Sequence, residues 1–130
     1  MKAAIFDIET TAIDNWSTLD GLKKAHCLVV QDENNKVHRF RNDGDTDTIP
    51  EGLELLSAKD FVVAHNGIGF DIPALFYLYG FSHARVVDTM VLSRLVHPDI
   101  KEIDWRRSSK SDLPKNLYGS HSLGAWGYRL

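Results

Sequence analysis

Apolar residues occur along this chain in short blocks that predict β-strands. Residues 3–8 form an apolar run that ends in acidic residues, and residues 61–64 are four apolar residues between turn signals. Residues 36–41 alternate apolar and polar side chains, which is typical of a strand with one buried face. Together with residues 24–31 and 85–87, these segments predict five strands, the first of them central in the sheet.

Helices are expected between the later strands. The first has a proline in its first turn, the second ends at Gly80, and the third is closed by Pro98. The predicted helices cover residues 49–58, 71–79, 88–96 and 120–130. The polar segments 10–23 and 99–119 are expected to be loops.

This order of elements predicts an α/β fold. The turn-rich tetrapeptide at residues 32–35 joins strands two and three into an antiparallel hairpin. The alternating strands and helices that follow favour parallel strands. We therefore expect a mixed sheet, with an antiparallel hairpin beside parallel strands and helices on its faces.

Composition places the chain among ordinary globular proteins. Its 130 residues predict a single domain over residues 1–130. No stretch is long enough to span a membrane, and the polar residues after the short N-terminal apolar run argue against a signal peptide. Cys27, the only cysteine, lies in an apolar run and is expected in the core. A cytoplasmic location is expected.

The net charge of −3 argues against a protein that coats a duplex, but not against an enzyme that acts on nucleic acid. One basic stretch stands out, with acidic residues interspersed. Two interpretations remain open for it: a solvated mobile loop, or a surface that contacts phosphates. Its cations are Lys101, Arg106, Arg107, Lys110 and Lys115.

Two carboxylates mark the end of the first predicted strand. Residues i and i+2 of a strand point to the same face, so Asp7 and Glu9 are expected side by side. Like charges this close repel unless a cation lies between them, and oxygen ligands suit a divalent metal. On its own, however, an Asp-x-Glu pattern is a weak signal.

A second group of polar residues follows the strand at 61–64. Asn66 and Asp71 flank two glycines at a junction between a strand and a helix. Asp71 alone could be a helix cap. Because chemistry gathers at the carboxyl ends of central strands, we expect Asp71 to face Asp7 and Glu9.

These motifs resemble a known family. Residues 7–10 and 66–71 look like the first two motifs of the DEDD superfamily of 3′–5′ exonucleases. Residues 87–95 and 119–130 strongly resemble the proofreading domain of the family-A DNA polymerases of short-tailed bacteriophages. The resemblance implies a ribonuclease H-like fold and covers nearly the whole chain.

The resemblance also implies roles for individual residues. Asp7 would bridge two Mg²⁺ ions, with Mn²⁺ able to substitute, and Glu9 would bind the ion that activates water. Asp71 would support the second ion. Thr10 would lie along the terminal nucleotide, and Asn66 would order the site.

Two further side chains are interpreted structurally. His65 is expected to act as a hydrogen-bonding residue rather than a catalytic one. Asp88 is expected to cap the helix that follows it.

The family has a fourth carboxylate on a later helix, and no segment of this sequence matches that motif. His38 and Asp43, and likewise His83 and Asp88, have the spacing of the motif, but at the wrong place in the order. The resemblance therefore implies a domain truncated before this motif, with reduced or no activity. It also implies an apolar face covered by a polymerase domain or a second copy.

Three functional hypotheses follow. The first is a proofreading-type 3′–5′ exodeoxyribonuclease acting on single-stranded or frayed 3′ DNA ends in the cytoplasm, that of the host cell if the protein is phage-encoded. The second is a non-catalytic module on the same fold that binds DNA or a polymerase. The third is a nuclease with a rearranged site that uses His121 or Asp88.

Overall fold

The computed structural model describes residues 1–11 and 21–130 and contains two compact units, Met1–Asp88 and Thr89–Leu130. Most of the loop expected over residues 10–23 lies outside the described residues. The single domain expected over residues 1–130 stays a prediction.

The first unit is built on a five-stranded mixed sheet. Its strands are β1 (Ala3–Thr10), β2 (Ala25–Asp32), β3 (Val37–Arg41), β4 (Phe61–Ala64) and β5 (Val86–Asp88). Their order in the sheet is β3-β2-β1-β4-β5. β1–β2 and β2–β3 are antiparallel, whereas β1–β4 and β4–β5 are parallel. The predicted α/β fold, with a central first strand and a hairpin beside parallel strands, is confirmed.

One face of this sheet carries the core of the unit. Alternate residues of β1 are buried there, among them Phe6 and Ile8 at 3% exposure each. Two helices supply further core residues, α1 (Ile49–Ser57) and α2 (Asp71–Tyr79). α2 ends at Gly80, which adopts the left-handed conformation typical of a helix end.

The other face of the sheet carries Ile5, Asp7 and Glu9, all exposed. We call it the carboxylate face. Strand register extends its rows across the hairpin: Asp7 pairs with Val29, which pairs with Arg39.

Cys27 lies on the carboxylate face and not in the core, so the prediction for it was wrong. The register pairs Cys27 with Glu9, and its side chain is half-buried. Leu28 and Val30 take the core face of β2, and alternation turns the residues between and beside them to the opposite side. A short apolar run cannot reveal which of its residues face the core.

The second unit is helical. It contains α3 (Thr89–Val96), α4 (Ile100–Arg107), a 3₁₀ helix (Lys115–Leu117) and α5 (Leu123–Arg129). The predicted helices at 88–96 and near the C-terminus are confirmed, and the latter begins at Leu123 instead of Ser120. Ser122 caps it, because its side chain accepts a hydrogen bond from the Ala125 N–H.

α4 contradicts the prediction of a loop over residues 99–119. Polar residues occupy most of its positions, so its sequence lacks the hydrophobic periodicity that predicts a helix. Tertiary contacts hold it instead: Ile100 and Asp104 are buried at 4% and 5% exposure. Because Lys101, Arg106 and Arg107 lie on this helix, the mobile-loop interpretation fails for them, and phosphate contact stays a prediction.

A buried ion pair joins α4 to α5. Arg129 donates from Nη2 to Asp104 Oδ2 at 2.7 Å and from Nε to Oδ1 at 3.0 Å. The Arg129 guanidinium therefore holds the pKa of Asp104 below its usual range. The Gly119 N–H also donates to Asp104, at 2.8 Å, which ties the loop before α5 to the same carboxylate.

In the part of the chain that the structure describes, no helix has both the length and the apolar character needed to cross a membrane.

Candidate active site

The candidate site forms where β1 extends beyond its parallel neighbour. The pairing of β1 with β4 ends at Ile5 opposite Val63, whereas β1 continues to Thr10. Asp7 and Glu9 lie on this extension and are exposed on the carboxylate face, as their spacing predicts. The extension also carries the Ile8 N–H past the last residue pair that β1 forms with β4.

Asp71 binds the Ile8 N–H at this extension of β1. It is the first residue of α2, and its Oδ1 accepts a hydrogen bond from the Ile8 N–H at 3.3 Å. The side chain is only 3% exposed. The structure therefore brings Asp71 to the backbone beside Asp7, as expected from the strand-to-helix junction.

The electrostatics of Asp71 reflect these surroundings. Burial is the main cause that raises the pKa of Asp71 to about 6, and the negative charge of Asp7 is the next. Asp88 adds a smaller contribution in the same direction, while the hydrogen bond from the Ile8 N–H opposes it. A carboxylate whose ionised form is disfavoured by burial and by a neighbouring negative charge is an arrangement that a cation relieves.

Asp88, the last residue of β5, holds the loop that precedes Asp71 in place. Asp88 accepts hydrogen bonds from the N–H groups of Asn66 and Ile68, at 3.0 Å each. The parallel register places Asp88 opposite Ala64, where the loop begins. Asp88 was expected to cap a helix, and its role in holding the loop was not predicted from the sequence. The sequence feature that could have indicated this role is an acidic residue at the carboxyl end of a third parallel strand.

Asn66 orders this loop through its backbone. It has a positive φ of 63°, and its carbonyl oxygen accepts hydrogen bonds from Gly69 and Phe70. A Cβ at Gly69 would lie 2.5 Å from Asn66 Oδ1, so a larger residue there would displace the Asn66 side-chain amide. His65, at the start of the loop, is half-buried.

Thr10 is not brought together with the carboxylates. It is 8% exposed and lies beyond a register irregularity between Glu9 and Thr10. Alternation turns it to the core side of β1. Within the described residues its Oγ1 has no hydrogen-bond partner.

The acidic side chains at this edge offer oxygen donors for a divalent metal. Among residues 1–11 and 21–130, no three His, Cys, Asp or Glu side chains are grouped closely enough to hold an ion together. The negative charge of Asp7 acts on Asp71, and Glu9 occupies the next position on the face of Asp7. Hard oxygen donors with mutual repulsion fit a cation such as Mg²⁺ at the Asp7–Asp71 pair.

Two other histidines singled out in the sequence have side-chain partners within their own units. His121 belongs to the second unit, where its Nδ1 is 2.7 Å from Ser93 Oγ. Trp126 donates from Nε1 to the same oxygen at 2.9 Å. His38, of the spurious motif, instead contacts Asp32 at 2.9 Å.

The strand order, the parallel and antiparallel pairs and the flanking helices define an α/β protein of the ribonuclease H-like fold. A solved structure described as the apo form of a nuclease matches with a TM-score of 0.59, over 97% of this chain and 63% of the other, at 19% identity. That likeness concerns the fold.

In sequence, the chain is similar to the DNA-directed DNA polymerase of Escherichia phage T7, at 33% identity over 97% of this chain. It is likewise 34% identical to that of Enterobacteria phage T3, over 86% of this chain. The chain spans only 18% and 17% of these polymerases. The predicted resemblance to phage DNA polymerases is confirmed, and the chain is related to one segment of them. No family model matches the sequence.

Proposed function

We propose that this chain is a metal-dependent 3′–5′ exonuclease domain of the proofreading type, acting on single-stranded or frayed 3′ ends of DNA. The observation that carries the proposal is the Asp7–Asp71 pair, which meets at the end of β1 from two separate elements. The relationship to a segment of two DNA polymerases supports DNA as the substrate and a polymerase domain as a partner.

Each carboxylate has a part in this proposal. Asp7 and Glu9 would hold the divalent cation that activates water, and Asp7 and Asp71 would hold the second, with Mg²⁺ as the metal and Mn²⁺ as a substitute. When bound, such ions supply a hydroxide nucleophile near neutral pH and stabilise the leaving 3′ oxygen. Asp88 keeps the loop before Asp71 in place through the N–H groups of Asn66 and Ile68.

The buried position of Asp71 matters for this role. The Ile8 N–H orients the Asp71 carboxylate beside β1. The exposed Asp7 and Glu9 leave the substrate side of the pair open to solvent. A terminal nucleotide that is already unpaired reaches this edge without the free-energy cost of unstacking and unpairing.

The direct test is release of mononucleotides from a 5′-labelled single-stranded oligonucleotide. With Mg²⁺, the wild type should shorten the DNA from its 3′ end, and Asp7→Ala should lower the rate by about 10² or more. Glu54→Gln, which removes an exposed acid of α1, the helix packed on the core face of the sheet, serves as the control. Equal rates for the wild type and Asp7→Ala would assign any activity to another site.

A second candidate function is a non-catalytic module that binds DNA or a polymerase. The observation that favours it is that no three potential metal ligands cluster in the described part of the chain. It predicts DNA binding without Mg²⁺- or Mn²⁺-dependent shortening of the strand. Turnover that depends on Asp7 would exclude it.

A further inference from the structure

The carboxylate face continues past the candidate site to two arginines. In strand register, the Asp7 row crosses β2 at Val29 and reaches β3 at Arg39. The neighbouring row runs from Glu9 through Cys27 to Arg41. Residues directly opposite in a sheet share one face, so both guanidinium groups project on the side of the carboxylates.

The geometry of a sheet fixes the spacing of this pattern. Neighbouring strands lie about 4.8 Å apart, so the arginine backbone is about 10 Å from that of the carboxylates. Along β3, Arg39 and Arg41 are separated by about 7 Å. Between the two charged columns lie Val29 and Cys27, which form a half-buried, weakly polar strip.

Neither arginine has a buried ion-pair partner among the described residues. Both are exposed, and Arg39 takes part in none of the ion pairs found among the described residues. Arg41 lies 3.6 Å from Asp43, with both side chains largely in solvent, and such pairs contribute little. By contrast, Arg129 is buried in its pair with Asp104.

We propose that Arg39 and Arg41 bind the phosphates of a single DNA strand whose 3′ end lies at Asp7 and Glu9. The strand would cross β2 over Val29 and Cys27, with its 5′ side on β3. The inference rests on the proposed function for the position of the 3′ end. Guanidinium groups suit phosphate oxygens because they donate in a planar fork and stay charged at every relevant pH.

A purely structural role is the competing explanation. β3 is an edge strand, and exposed charges on edge strands discourage pairing with other chains. Lysine or glutamate would serve that purpose equally well. A protective role predicts aggregation when the charges are removed, whereas phosphate binding predicts a loss of affinity for DNA in a monomeric protein.

The experiment compares the wild type with Arg39→Ala/Arg41→Ala and with Arg85→Ala. Arg85 is also exposed, and its replacement by alanine removes one positive charge, as each of the other two substitutions does. It precedes β5, at the opposite end of the parallel strands from Asp7, and so lies away from the proposed course of the DNA strand. Affinity for a labelled single-stranded octanucleotide is measured by fluorescence anisotropy in EDTA over a range of salt concentrations. Circular dichroism and sedimentation check the fold and the monomeric state.

The double variant should bind about tenfold more weakly at low salt, because it lacks two groups that form charge-assisted hydrogen bonds to phosphate. Its plot of log affinity against log salt should flatten by about 0.7 for each phosphate that is no longer neutralised. Arg39→Lys/Arg41→Lys should keep most of the affinity, and Arg85→Ala should resemble the wild type. An equal loss of affinity in Arg85→Ala, or a salt slope unchanged in the double variant, would overturn the proposal.

Hydrolysis in Mg²⁺ separates this proposal from the proposed function. The double alanine variant should raise KM for the octanucleotide more than it lowers kcat, and the effect should shrink for a dinucleotide that does not reach β3. If the wild type does not hydrolyse the octanucleotide, the proposed function is wrong, and the anisotropy measurements still test whether the arginines bind DNA. If hydrolysis proceeds with an unaltered KM in the double variant, the path across β3 is wrong and the nuclease stands.

Discussion

Asp71 has the least favourable surroundings of the acidic residues in the candidate site. It is buried and it faces the negative charge of Asp7, and the hydrogen bond that it accepts from the Ile8 N–H only partly offsets both effects. Ionisation of this side chain therefore costs the folded state stability. This is typical of perturbed carboxyl groups in functional sites.

The stability of the metal-free protein should therefore depend on Asp71 and on pH. The pKa of Asp71 is about 6 in the folded chain against an ordinary value of 3.8, so the folded state binds more protons between these values. The free energy of unfolding should fall as pH rises from about 4 to about 6, by on the order of 2 kcal/mol. Urea denaturation in EDTA at several pH values measures it.

Asp71→Asn removes the titrating group and should remove this part of the pH dependence. The difference in unfolding free energy between the variant and the wild type should grow in favour of the variant as pH rises through 6. Asp45→Asn, at an exposed acid, should keep the wild-type pH dependence. Parallel curves for the wild type and Asp71→Asn would contradict the assignment of this titration.

At the scale of elements, close packing between α1 and the hairpin positions the sheet that carries the site. Gly52 of α1 lies against Phe40 of β3 and Leu28 of β2. A Cβ there would come within 2.5 Å of the Phe40 ring and 2.6 Å of a Leu28 methyl group. Leu28 is fully buried and has no room to move away.

Gly52→Ala should accordingly destabilise the protein, by about 1–3 kcal/mol, because overpacking outweighs the gain in helix propensity. The matched substitution Gly124→Ala, in α5, meets no atom within 4 Å. It should stabilise its helix by about 0.5–1 kcal/mol. Thermal unfolding followed by circular dichroism compares the two variants; a destabilisation of equal size in both would refute the packing argument.

At the scale of the whole molecule, the candidate site depends on three parallel strands of the first unit and their connections. β1 supplies Asp7 and Glu9, the connection after β4 delivers Asp71, and β5 ends in Asp88, which holds that connection. The carboxyl ends of parallel strands meet at one edge, so residues far apart in the sequence become neighbours. Ion binding at this edge should therefore stabilise the folded chain as a whole.

Mn²⁺ should raise the melting temperature of the wild type at pH 7.5. At a hundred times the dissociation constant the gain is about 2.7 kcal/mol. Asp7→Ala and Asp71→Asn should each lose most of this increase. The increase should also shrink below pH 6 in the wild type, where protons compete for Asp71. A Mn²⁺ effect that survives both substitutions would place the ion elsewhere.

Much of the architecture was predictable from the sequence because the strands of the first unit are strongly patterned. Local patterns predict these elements: the apolar run before Asp7 predicts β1, the alternation predicts β3, and Gly80 predicts the end of α2. The spacing of Asp7 and Glu9 likewise assigns them to one face, since alternation is a property of any strand. α4 escaped prediction because Asp104 and Arg129, distant in sequence, hold it through a buried ion pair.

The sequence by itself thus determined the order and type of most elements and the presence of acids at the ends of strands. Only the tertiary structure decided that Asp71 binds the backbone at Ile8 and that Asp88 supports its loop. It also decided that Cys27 and Arg39 lie on the face of Asp7. The physical reason is that local propensity acts over a few residues, whereas register and burial depend on partners brought together by the whole sheet.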